Sequence, residues 1–225
     1  MKAMLLAAGE GRRLQPLTFT TPKPLVQAGG ETLIERHVRQ LVAVGVTEII
    51  VNLYHLGDQI EAKLGNGLAY GADIRYSREA ELLETGGGLL AALPLLGDDP
   101  FIVISADVYA DIQLEKLLTP LPVGTLGCLV LVDNPSHHSE GDFCLQEDGR
   151  LVSESTKGVK RLTYSGISLL TKELIQRGNS PHFPLRELLF PAIAAGELIG
   201  LYHQGIWNDV GTMDRLKQLR AQLED

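Results

Sequence analysis

Cysteine, positive charge and long hydrophobic runs are all in short supply in this chain, and each shortage removes a class of protein. The two cysteines among 225 residues, Cys128 and Cys144, lie in apolar, strand-like runs. Their spacing fits neither a disulfide framework nor a metal site, so both read as buried thiols in a reducing cytoplasm. Lysine and arginine number 20 against 28 acids, a net charge of -8 that argues against a general nucleic-acid binder. No stretch reaches the roughly 18 uncharged residues of a membrane span. The apolar opening, Ala3 to Ala8, is shorter than a signal-peptide core and runs into Glu10, Arg12 and Arg13 instead of a small-residue cleavage site. Linkers, charge blocks, low-complexity tracts and internal repeats are missing as well. Residues 1–225 therefore read as a single domain with a substantial core.

What basic charge there is concentrates at the start. Leu5 to Leu25 reads LLAAGEGRRLQPLTFTTPKPL, a short apolar strand running into a glycine turn, two arginines and a lysine between prolines. Residues 1–25 carry Lys2, Arg12, Arg13 and Lys23 against Glu10, a local charge of +3 in an acidic protein. A basic, glycine-bearing loop at the end of a buried strand is suited to holding a phosphate chain.

Periodicity supplies the frame. Lys2–Ala8 is a nearly continuous apolar run, as in a strand covered on both faces. Thr32 caps and Gly45 stops a helix over 31–44, with Leu33, Ile34, Val38, Leu41 and Val42 on one stripe. A strand over 48–53 completes a right-handed βαβ unit. The pattern then predicts helices over 55–64, 86–96, 114–118, 171–177, 184–195 and 212–223. Strands are expected over 73–77, 101–105, 127–132, 162–170, 198–203 and 206–208. The turn Glu147-Asp148-Gly149 between 143–145 and 150–152 signals an antiparallel hairpin. The class is α/β, a mostly parallel twisted sheet with a small antiparallel extension over the ligand cleft. In such sheets ligands bind at the carboxyl ends of strands, which puts the first loop and Asp107 on one rim.

Two common phosphate loops are excluded. Gly9-Glu10-Gly11-Arg12-Arg13-Leu14 lacks the third glycine of the dinucleotide fingerprint, and the second strand ends in Asn52-Leu53 without a ribose-binding acid. The pattern G-x-x-x-x-G-K-[ST] does not occur. Instead, Leu6 to Thr18 and Pro22 to Leu25 resemble the signature of the sugar-1-phosphate nucleotidylyltransferases, L-A-A-G-x-G-x-R-L-x-P-L-T followed by P-K-P-L, at every signature position. Later motifs keep the family's order across essentially the whole chain. The resemblance implies a three-layer α/β/α nucleotide-binding core and transfer of a nucleotidyl group to a sugar 1-phosphate, with pyrophosphate released.

Physical roles follow for the loop. Ala8, Gly9 and Gly11 bring backbone N–H groups against a nucleotide with little side chain in the way. Arg13 can fork onto triphosphate oxygens, and Lys23 offers a positioned point charge. Arg12 fits either a nucleotide contact or a solvated surface arginine. A phosphate monoester, with a second pKa of about 6, is already a competent nucleophile at neutral pH. Catalysis then reduces to positioning and charge neutralisation, by Arg13, Lys23 and Asp107. Mg²⁺ suits the task, and the resemblance carries Asp107 and Asp209, the latter in a W-x-D-V-G-T motif, over as its ligands. Asp111 reads as a solvated loop acid.

Glu81–Leu89, ELLETGGGL, matches the segment that faces the base and sugar, with backbone groups near Leu83 reading the base and the Gly86–Gly88 N–H groups beside the ligand. ETGGG at 84–88, VDNPSHHSEGDF at 132–143 and Tyr164-Ser165-Gly166-Ile167 resemble one subfamily, the bacterial N-acetylmuramate α-1-phosphate uridylyltransferases of cell-wall recycling. That resemblance names UTP and the sugar phosphate as partners and implies sugar contacts at Ser105, Asp142, Glu154, Ser165 and Gly166. His137 and His138 read as exposed loop residues. One departure stands out: the subfamily carries Asn-Gly before the metal aspartate, and this chain has Ser105-Ala106. Serine has a shorter reach than asparagine, and alanine adds a methyl where backbone would approach the ligand. The alternatives are the same chemistry on glucose 1-phosphate with dTTP or mannose 1-phosphate with GTP, and a non-catalytic sugar-nucleotide sensor. The oligomeric state is left open.

Overall fold

The structure, a computed structural model, describes residues 1–154 and 159–224. In chain order the elements are β1 (Lys2–Leu6), β2 (Gln27–Ala28), β3 (Glu31–Thr32), α1 (Leu33–Ala43), β4 (Glu48–Leu53), α2 (Gly57–Leu64), β5 (Asp73–Arg78), α3 (Glu84–Leu96), β6 (Phe101–Ser105), β7 (Tyr109–Ala110) and β8 (Gly127–Val132). There follow β9 (Phe143–Leu145), β10 (Leu151–Val152), β11 (Arg161–Leu170), α4 (Lys172–Gln176), α5 (Arg186–Ala194), β12 (Leu198–Tyr202), β13 (Trp207–Asn208) and α6 (Met213–Glu224).

A nine-stranded sheet follows the path β10-β9-β11-β6-β1-β4-β5, with β8 pairing β11 and β12. Its centre is parallel: β1 pairs β4, β6 flanks β1, and β5 extends β4. The long β11 runs antiparallel to β6 and to β8. Alternation explains the layering, because successive strand residues point to opposite faces. Ala3, Leu5, Ile49, Val51, Ile102 and Ile104 pack on one face with Ile34, Val38 and Leu41 of α1 and Ile60 and Leu64 of α2. Met4, Ile50, Phe101 and Val103 pack on the other with α3, α4 and α5. Three layers result, in the α/β class the sequence implies. A smaller cluster joins Leu216 and Leu219 of α6 to Val26, Ala28, Leu33, Tyr109 and Val210.

Local chemistry sets the element ends. Thr32 and Glu35 form a reciprocal capping box at the start of α1, worth about 1 kcal/mol. Gly45, with φ +82°, turns the chain out after it. Several expected element ends shift by about two residues, as at the start of α1, where Glu31–Thr32 pairs as a strand. The helix α2 begins at Gly57 behind Leu56 at φ +52°, α3 begins at Glu84, and Leu114–Leu117 winds as a 3₁₀ turn. Both cysteines are buried and free, and burial pushes the Cys128 thiol up to about 11. Among the described residues no helix is long and apolar enough to cross a membrane.

The antiparallel part is built by interruption. Val132 stands opposite Thr163, and Phe143 stands opposite the adjacent Leu162. Since β10 follows β9 and Arg150 bridges Ile199 of β12, β9 continues the flank that β8 occupies. Residues 133–142 are thus an excursion spliced into one strand line. Opposite it, β11 bulges between Tyr164 and Ser168, with Gly166 at φ +80°.

Candidate active site

β1 and β6 end side by side, Leu6 level with Ser105, and both deliver their next residues to one rim. After β1 the chain turns through Ala7 to Gly11, held by the Ala7 N–H on Asn52 Oδ1 at 2.8 Å. Gly11 sits at φ +63°, where an added Cβ would meet Thr18 Cγ2 at 2.8 Å, so only glycine fits. At Gly9 an added Cβ meets nothing, and that side of the loop opens on a cavity of about 350 Å³. Ala8, Gly9, Gly11, Arg12, Arg13, Lys23, Ser105 and Asp107 line it together with Leu82, Glu84, Thr85 and Gly211. Arg13 is exposed on its rim. Arg12 is exposed too and pairs with Glu10 at 2.5 Å, which leaves it at the border of solvent and cleft.

Lys23 is the best-buried charge here, 6% exposed. It is fixed between Pro22 and Pro24 at the start of a 3₁₀ turn. Its Nζ donates to Asp107 Oδ2 at 2.5 Å and to the Asp209 carbonyl at 3.0 Å. Three residues far apart in sequence therefore meet at one ammonium. Asp209 is brought there by the β7–β13 ribbon, in which Asn208 faces Tyr109. Behind Asp107, the buried ring of His37 donates from Nε2 to the Val108 carbonyl at 2.8 Å. Burial pushes its pKa down to about 4, so the ring is neutral, and its Nδ1 has no partner among the described residues.

The Asp209 carboxylate is held by groups the sequence reading did not identify. Arg215 Nη1 donates to both of its oxygens, and His137 Nε2 lies 3.4 Å from Oδ2. A Cβ on Gly211 would lie 2.6 Å from Arg215 Nη2 and displace the guanidinium that holds Asp209. His137 is thus a cleft residue, as is His138, whose Nε2 lies 3.0 Å from Asp142 Oδ1. His137 stays exposed and His138 half-buried, as expected of loop histidines, and the 133–142 excursion sets both against β11 at the cleft. Asp111 is exposed, as expected, and pairs there with His203 Nε2 at 2.7 Å.

A magnesium ion suits this donor set. Asp107 and Asp209 line one stretch of the cleft. Among the described residues no group of three His, Cys, Asp or Glu could hold a metal. Two carboxylates with room for substrate oxygens is how Mg²⁺ is usually held, whereas a closed protein cage is not.

The base-facing segment works differently from the expectation. Leu83 donates its N–H to Glu79 Oε2 at 3.1 Å, and its carbonyl, which has two lone pairs, accepts from the Phe183 N–H at 3.3 Å. The N–H groups of Gly86 and Gly87 are likewise spent on the Phe183 carbonyl, at 2.9 and 3.1 Å. Tight packing is what the glycines serve: a Cβ on Gly88 would meet Asn52 Nδ2 and Glu79 Oε1, each at 2.8 Å. Asn52 Nδ2 donates to Glu79 Oε1 at 2.7 Å, completing a relay Ala7–Asn52–Glu79–Leu83 that ties the first loop to this segment. Leu82, Glu84 and Thr85 face the cavity instead.

Ser105 lies where three lobes of the cleft meet. Gly166 makes room for it, since a Cβ there would lie 2.8 Å from Ser105 Oγ. Ala106 is fully buried and its methyl packs in the core below the sheet, so it does not stand where a ligand would approach. Asp142 lines the second lobe, with Oδ2 accepting from the Tyr164 N–H at 2.8 Å. Ser165 lines the third lobe, yet its Oγ is turned onto the Ile167 N–H at 3.1 Å within the bulge. Glu154, an expected sugar contact, is exposed beyond the end of β10.

Comparison with known proteins agrees with this geometry. The family model described as Nucleotidyl transferase matches residues 2–123. The chain is similar to the N-acetylmuramate alpha-1-phosphate uridylyltransferase of Neisseria meningitidis serogroup B, 43% identical over 98% of this chain and 97% of that protein. It is similar to the protein of the same name from Caulobacter vibrioides, 33% identical over 93% and 91% of the two chains. Among solved structures, a Bacillus anthracis protein assigned as a glucose-1-phosphate thymidylyltransferase superposes with a TM-score of 0.82 at 21% identity, covering 100% and 96% of the chains, a likeness of fold.

Proposed function

The chain belongs to the nucleotidyl transferase family, and from that premise we propose that it transfers UMP from UTP to N-acetylmuramate α-1-phosphate, giving UDP-N-acetylmuramate and pyrophosphate. The observation that carries the substrate is the 43% identity over nearly all of both chains to a protein of that activity. The cleft supports the chemistry, with one end lined by Arg12, Arg13 and Lys23 and the other by the polar groups of Ser105, Asp142 and Tyr164.

The sugar phosphate is its own nucleophile, so no residue need remove a proton. The N–H groups of Gly9 and Gly11, which have no acceptor among the described residues, and the Arg13 fork suit the triphosphate. Lys23 supplies a fixed positive charge at the bottom of the cleft, where two anions must be brought together. Glu84 and Thr85, whose N–H groups have no acceptor among the described residues, border the same space. Asp107 and Asp209 would hold Mg²⁺, which supplies further neutralisation of phosphate charge. Lys23 and Arg215 hold these two carboxylates in place.

Pyrophosphate release across a panel of sugar 1-phosphates and nucleoside triphosphates, with and without Mg²⁺, tests the reading. Best activity on glucose 1-phosphate or mannose 1-phosphate would reject the muramate substrate. Asp107→Ala and Asp209→Ala should each cost at least about a hundredfold in kcat, as losses of transition-state charge handling do. Their circular dichroism should match the parent. Parent-like rates in either would remove the metal assignment.

A further inference from the structure

N-Acetylmuramate 1-phosphate carries two anions. Its C3 ether ends in a lactyl carboxylate, the group that separates it from N-acetylglucosamine 1-phosphate, and the cations near the phosphates cannot serve both ends of the sugar. The lobe beyond Ser105 is lined by three acids, Glu84, Asp142 and Glu187, and by a single arginine, Arg186, the first residue of α5. Unscreened, those acids would repel a second carboxylate.

We infer that Arg186 binds the lactyl carboxylate and sets the preference for the muramyl sugar; this rests on the substrate proposed above. Arg186 has no ion-pair partner among the described residues, and Asp142 does not claim it, since its two oxygens face His138 and the Tyr164 N–H. Its mounting is rigid. The Leu185 N–H is held by Thr85 Oγ1 at 2.8 Å, and the Phe183 carbonyl accepts from Gly86 and Gly87. The start of α5 is thereby pinned to the start of α3, on the wall of the nucleotide cavity. Next to Arg186 the lobe offers an apolar surface for the acetamido and lactyl methyls: Phe143 and the exposed Phe190 pack edge to face, with ring centres 5.4 Å apart. A guanidinium beside such a surface suits a carboxylate on a short apolar stem.

The test compares kcat/KM for N-acetylmuramate 1-phosphate and N-acetylglucosamine 1-phosphate, both with UTP, in the parent enzyme and in Arg186→Ala, Arg186→Lys and Arg186→Glu. Arg186→Ala should lower the muramyl-to-glucosaminyl ratio by about ten- to a hundredfold, the range for a charge-assisted hydrogen bond, through KM for the muramyl sugar. Arg186→Lys should restore part of the ratio and Arg186→Glu should depress it further. A ratio unchanged in Arg186→Ala, or equal losses on both sugars, would overturn the inference while leaving the muramyl activity standing. A parent enzyme that takes the two sugars equally would overturn the inference alone, and one that takes no muramyl sugar would overturn the substrate proposed above as well.

Discussion

A single ammonium, on Lys23, is where the two ends of the chain meet. An ammonium this well buried is tolerated only when paired and hydrogen-bonded, and Asp107 and the Asp209 carbonyl supply both. The sequence names Lys23, Asp107 and Asp209 through local motifs, but no local motif contains the contact between them. Arg215 and His137 were illegible for the same reason, since each is one of many polar residues until the fold sets it on Asp209. His37 makes a related point with a measurable consequence. Its folded pKa of about 4 lies below the ordinary 6.5, so the unfolded chain takes up a proton first as pH falls. The stability it contributes is complete above pH 6.5 and is lost on the way down to pH 4, about 3 kcal/mol in all. Urea unfolding of the parent and of His37→Gln across that window should converge toward low pH if the parent starts more stable. Parallel curves would show that the ring titrates normally.

Elements were legible wherever they are long enough to show a period. The β1, β4, β6 and β11 strands and the α1 stripe all appear as expected, because both faces of the sheet are buried and one face of the helix is. Two-residue strands such as β2, β3, β7 and β13 carry no period, and they were missed or only approximated. The glycine triplet shows a subtler failure. Three glycines at a helix start suggest a ligand, whereas here a neighbouring segment and the Asn52–Glu79 relay fill the space. That relay can be tested. Glu79→Gln leaves one acceptor oxygen for two donors, the Asn52 amide and the Leu83 N–H, so one loses its partner at a cost of about 1–3 kcal/mol. KM for UTP should rise about tenfold or more by the same measure, with kcat changed little and melting a few degrees lower. A normal KM for UTP with lowered melting would reduce the relay to a purely structural link.

At the scale of the whole molecule, two large cores hold the sheet between its helices, and the third, small one packs α6 against the segments beside the active site. Leu216 and Leu219 of α6 pack against the 26–33 segment that follows Lys23, and Arg220 Nε reaches the Gln27 carbonyl at 2.9 Å. The last helix thus fixes the position of Asp209. Leu216→Ala should cost about 2–5 kcal/mol by the usual cavity accounting. Because the damage is local to the smallest core, activity should fall at a lower urea concentration than far-UV dichroism. Coincident loss of both signals would show that α6 unfolds only with the rest.

The splice in the strand line has a consequence for how such a catalyst can diversify. Val132 and Phe143 face consecutive residues of β11, so the sheet register on either side does not depend on what lies between them. Residues can be added to or removed from 133–142 without turning a single core side chain outward, which a change within any strand would do. The segment carrying His137, His138 and Asp142 therefore behaves as a cassette. A library varied in length and composition there, with His137 kept against Asp209, should yield folded enzymes with new acceptor ranges built on the same phosphate-transfer machine.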